Sequence, residues 1–100
     1  MTQTERIAHY EALLDRVTAA QTELDAALER FAAVQPLVRE LDAYYGGADW
    51  RRDLADDEAG RLPVGLKRGV LSQDAVWDAL TDNRRLLDRL RKLTAKAPEG

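Results

Sequence analysis

The sequence predicts an all-α fold, with a long N-terminal helix and a C-terminal helix in an antiparallel hairpin and a short helix in the docked connector. Three observations carry this. Eleven apolar positions, Tyr10, Leu13, Val17, Ala20, Leu24, Ala27, Phe31, Val34, Val38, Leu41 and Tyr45, recur in alternating steps of three and four, which places them on one stripe of one helix. A second set, Val76, Ala79, Leu80, Asn83, Leu86, Leu87, Leu90 and Leu93, recurs at helical spacing near the C-terminus. Between the two lie the breakers Gly46-Gly47 and Gly60 to Gly65, the latter containing Pro63. The alternative architecture is an open hairpin that closes only on dimerising.

At 100 residues the chain is read as a single helical domain, with a long helix at about 4–45, a connector at 46–72 and a C-terminal helix at about 73–95. Charged residues make up 33% of the chain and both signs are mixed, as in a folded helical domain rather than a disordered tail. Cysteine is absent, which excludes disulfides and thiolate metal sites. The start, Met1-Thr2-Gln3-Thr4-Glu5-Arg6, lacks the apolar core of a signal peptide. No apolar run approaches the roughly 20 residues of a membrane span. The expected setting is therefore the cytoplasm, with no membrane contact. Net charge is −3, which argues against a sequence-independent nucleic-acid binder, since such a protein needs surplus cations.

Each element has its own signals. Thr2 followed by Glu5 fits a capping box at the first helix N-terminus. Gly46-Gly47 should end that helix after Tyr45 by supplying a left-handed residue. Ile7, Leu14 and Leu28 widen its stripe on one side early, and Leu37 and Tyr44 on the other side late. The switch falls near Pro36, which removes one helical hydrogen bond and should kink the helix, so two different neighbours are expected. In the connector, Asp49 could cap a short helix from about Trp50 to Glu58. The apolar residues Trp50, Leu54, Leu62, Val64, Leu66 and Val70 should dock rather than leave the connector a tether. Ser72 is the expected N-cap of the last helix, with Leu71 packing on Val76 as a hydrophobic staple. Both Trp50 and Trp77 are expected to be largely buried. Residues 95–100, with Pro98, should fray.

The order Tyr44-Tyr45-Gly46-Gly47, Trp50, Asp53, Asp57-Glu58-Ala59-Gly60, Leu62-Pro63 and Leu66-Lys67-Arg68-Gly69-Val70-Leu71-Ser72 resembles the bacterial domain-of-unknown-function family DUF4298. Gly47 departs from the small hydroxyl residue associated with that position. The resemblance implies a helical fold and a bacterial source, and no activity.

No catalytic motif is present, and neither a cofactor nor a metal site is expected. Asp53, Asp56, Asp57 and Glu58 form the densest acidic cluster, but their spacing matches no calcium loop. On a short helix the three aspartates project together while Glu58 turns away, so pairing with Arg51, Arg52, Lys67 or Arg68 explains them. His9 is the only histidine and lacks partners for a zinc or nucleophile site. Arg85, Arg89, Lys92 and Lys96 share a helical face that could track phosphates, although Asp88 should pair with Lys92. Asn83 within the apolar stripe could fix register, with Gln21 or Gln35 as its partner.

Two surfaces are candidates for function. Tyr44, Tyr45, Trp50, Asp53, Lys67 and Arg68 could form a recognition patch for an acidic or peptide ligand. The structural alternative is that the aromatics pin the connector and the cations face water. The second surface follows from length. The first helix should reach about 60 Å and the last about 35 Å, which leaves Ile7, Tyr10, Leu13, Leu14 and Val17 with no partner in the chain. The reading is a non-catalytic interaction module, a homodimer through those five residues, with a helical protein partner as a further option. A small acid–base enzyme using the 53–68 segment, or a nucleic-acid-associated protein, is the alternative.

Overall fold

The computed structural model describes residues 1–96. Helix α1 spans Gln3–Tyr44, α2 spans Ala48–Glu58, a single 3₁₀ turn spans Gly69–Leu71, and α3 spans Gln73–Lys96. The all-α class and the order of long, short and C-terminal helices are as the sequence predicts. Packing divides the chain into two units, Met1–Gln35 and the part from Pro36 onward.

In the first unit, α1 starts with the expected capping box. The Glu5 amide donates to Thr2 Oγ1 at 3.2 Å, and the Thr2 amide donates to Glu5 Oε1 at 3.4 Å. Two of the four orphan donors at the N-terminus are thereby met by side chains. No residue of α1 is buried, and through residue 30 only Ala26 is even half-buried. The helix continues through Pro36, and the boundary between the two units falls at that residue.

The second unit holds the core: Trp50, Leu71, Val76 and Leu80. Around it Val38, Leu41 and Tyr45 are half-buried in the same three-four rhythm, as are Asn83, Leu86, Leu87 and Leu90 on α3. Gly46 adopts φ +76, the left-handed value that stops α1 and lets α2 begin two residues later. Gly60 does the same after α2 with φ +72, and the Gly60 and Arg61 amides close back on Asp57 and Asp56 carbonyls. Ser72 caps α3 as expected, its Oγ accepting the Ala75 amide at 3.4 Å. Leu71 and Val76, the predicted staple pair, are both buried.

Four expectations are corrected. Asp49 is not the cap of α2: the helix starts two residues earlier, at Ala48, Gly47 occupies the cap position without a side-chain bond, and Asp49 instead lies 3.7 Å from Arg52. Trp77 is 57% exposed. Only the rows of Val76 and Leu80 are covered, and Trp77 lies about 100° further round the helix. Val64 is 94% exposed, because the turn after Pro63 carries it outward while Leu62 stays half-buried. Of the residues 95–100 expected to fray, Ala95 and Lys96 belong to α3, and residues 97–100 lie outside the described residues.

Candidate functional site

The end of α1, the inner face of α2 and the segment leading to α3 converge on a cavity of about 330 Å³. It is lined by Tyr44, Asp53, Leu62, Leu66, Lys67, Arg68, Val70 and Leu71. Four of the six residues singled out in the sequence thus meet at one pocket. The other two lie beside it: the Trp50 indole N–H donates to the Val70 carbonyl at 3.0 Å, and Tyr45 meets Trp50 edge-on with ring centroids 5.2 Å apart.

Local structure explains the convergence. Because Gly46 turns the chain right after α1, Tyr44 reaches a residue one helical turn into α2, and its hydroxyl donates to Asp53 Oδ2 at 2.7 Å. Asp53, Asp56 and Asp57 share one face of α2 and are half-buried, whereas Glu58 is exposed. After Gly60 the chain returns along that face. Arg68 Nη1 then meets Asp57 Oδ1 at 2.6 Å, in a partly buried pair. Its Nε donates to the Leu66 carbonyl and its Nη2 to the Val64 carbonyl, so this guanidinium ties the loop to α2. Arg61 pairs with Asp56 at 3.1 Å.

Tyr44 has its phenol pKa raised from 10.0 to about 12, first by its hydrogen bond to Asp53, then by burial and by the charges of Asp53 and Asp49. The hydroxyl is therefore a fixed donor at neutral pH. A tyrosine acting as a base needs the opposite shift, so this geometry lends the acid–base reading no support. Lys67 is the pocket cation without an ion pair among the described residues. The pocket thus offers an ammonium outside any ion pair among the described residues, a Tyr–Asp hydrogen-bonded pair and an aliphatic wall.

The pairing of the acidic cluster with Arg68, expected from the sequence, is present as the Arg68–Asp57 pair, so Asp57 rather than a ligand takes the charge of Arg68. Sequence reasoning missed the 3₁₀ turn that brings Val70 and Leu71 to the wall. It had no local signal, because a three-residue turn leaves no periodicity.

The other candidate surface lies in the first unit. Ile7, Tyr10, Leu13, Leu14 and Val17 are all between 39% and 61% exposed. His9 packs edge-on to Tyr10 at 5.1 Å. On α3, Arg85 lies 3.3 Å from Asp82 and Lys92 lies 2.9 Å from Asp88, so two of the four phosphate-tracking candidates are already paired. Among the described residues no three His, Asp or Glu side chains are grouped to hold a metal. No helix there is long and apolar enough to cross a membrane.

The family model described as Domain of unknown function (DUF4298) matches residues 7–93. The chain belongs to this family. The match takes in the pocket and the whole exposed stripe, so both surfaces lie within the DUF4298 domain. No curated protein and no solved structure matches the chain.

Proposed function

We propose that this DUF4298 chain is a non-catalytic interaction module that works as a homodimer joined through the first third of α1. The observation that supports it is the bare stripe of Ile7, Tyr10, Leu13, Leu14 and Val17 on a helix with no buried residue. Full burial of such a side chain is worth about 1.5–3 kcal/mol, and a second copy supplies an identical stripe under two-fold symmetry. Light scattering across micromolar concentrations tests this on the wild type and on Leu14→Asp. A dimer that the substitution dissociates is expected. A monomer at every concentration, with mass unaffected by the substitution, overturns the reading.

The pocket favours a second role for the other unit, recognition of an acidic peptide. Lys67 would take a carboxylate while Leu62, Leu66 and Val70 hold an apolar side chain. A short peptide of alternating leucine and glutamate should shift Trp50 emission in a Trp77→Phe background, and Lys67→Glu should abolish the shift. A shift that survives Lys67→Glu counts against this role.

A further inference from the structure

The charges flanking the bare stripe are unpaired within the chain: among the described residues neither Arg16 nor Glu23 forms an ion pair. They occupy one row, two helical turns apart, on one flank of the stripe. The opposite flank is Ile7, Leu14, Gln21 and Leu28. Along the stripe the residues graded by size are Tyr10, Leu13, Val17, Ala20, Leu24 and Ala27. About a point between Thr18 and Ala19, Tyr10 is answered by Ala27, Leu13 by Leu24 and Val17 by Ala20, and on the flank Arg16 is answered by the oppositely charged Glu23 about a point one residue further on.

We propose that residues 7–28 of α1 form an antiparallel coiled coil with a second copy in one defined register, which rests on the homodimer reading above. In it Val17 faces the partner's Ala20, Leu13 faces the partner's Leu24, and Tyr10 faces the partner's Ala27. On one flank Arg16 pairs with the partner's Glu23, and symmetry supplies that pair twice. On the other flank Ile7 meets the partner's Leu28, and Leu14 covers the partner's Gln21 stem.

The neighbouring registers fail electrostatically. Sliding one heptad one way sets Arg16 against the partner's Arg16. Sliding the other way sets Glu23 against the partner's Glu23 and Arg16 against the partner's Arg30. Like charges placed across a helical interface are what fix partner orientation in coiled coils. A parallel pairing brings Tyr10 against the partner's Tyr10 and Ala20 against the partner's Ala20, crowding one layer and leaving a void in another. It also leaves Arg16 opposite a glutamine.

The absence of cysteine makes disulfide mapping on the full chain clean. Leu13→Cys and Leu24→Cys chains are mixed and oxidised mildly, after light scattering has established the mass of each. The mixed 13–24 disulfide should dominate, while each variant alone stays unlinked, because its two thiols lie about 16 Å apart along the axis. Arg16→Glu should weaken dimerisation roughly tenfold, and the double change Arg16→Glu with Glu23→Arg should restore it to within about threefold. Dimers that form homodisulfides, or a double change that fails to rescue, overturn the register and leave the homodimer standing. A wild type monomeric at every concentration removes both.

Discussion

Tyr44 and Trp50 sit six residues apart, on either side of the Gly46 turn, and each reports a different part of the same site. The native fold holds the Tyr44 proton more tightly than the unfolded chain does, since its pKa rises from 10.0 to about 12. Its stabilising effect is therefore complete below pH 10 and is lost as pH climbs through 12. Tyrosinate absorbance should show one phenol titrating near 12. That step should vanish in Tyr44→Phe and move back toward 10 in Asp53→Ala. Trp50→Phe removes a hydrogen bond to a partly buried carbonyl and leaves a void, so chemical denaturation should show a loss of about 1–3 kcal/mol. Iodide should quench Trp77 readily and Trp50 hardly at all. Equal quenching of the two would contradict the burial of Trp50. Trp50 was legible from sequence because it lies in the first turn of a short helix between two glycine stops. Trp77 misled because a bulky aromatic next to an apolar stripe looks like its edge, and adjacency in sequence is a wide angle on a helix.

Element boundaries were the most legible level, because caps are chemically specific. The Thr2–Glu5 box, the left-handed Gly46 and the Ser72 cap were each marked by residue types that satisfy orphan backbone groups or accept positive φ. Ser72→Ala should lower thermal stability by about 1 kcal/mol through the unmet Ala75 amide. Gly46→Ala should cost about 1–2 kcal/mol, since nothing crowds the added carbon and the penalty is conformational alone. Where no residue type marks a boundary, sequence reasoning failed. The Gly47 cap position of α2 has no side-chain bond, and Asp49 was the nearest residue with capping chemistry, hence the two-residue error in the cap.

Across the whole molecule the two units carry unequal shares of apolar burial, and this sets what should happen on dilution. Among the described residues, the unit from Pro36 onward holds every buried side chain, whereas Met1–Gln35 holds none. A helix without a packed face is marginal in water. Amide exchange at micromolar concentration should therefore protect residues around Trp50, Leu71 and Leu80. Protection of residues 7–28 should grow as concentration rises, because association stabilises only the associated segment. Concentration-independent protection of that segment would refute a second copy as its cover. The period of the stripe was readable in the sequence, but which stretch of it lies bare depends on what the rest of the chain reaches, and periodicity does not encode reach.

Arg68 makes three separate attachments, to Asp57, Leu66 and Val64, beside Lys67, which makes none among the described residues. The two residues present consecutive cleavage points to a protease specific for basic side chains, yet they should not be cut alike. A protease pocket must draw the whole side chain out, so attack after Arg68 waits for α2 and the loop to separate, while attack after Lys67 needs only a side-chain rotation. Limited digestion should nick the native chain after Lys67 well before Arg68, and Asp57→Asn should erase the difference.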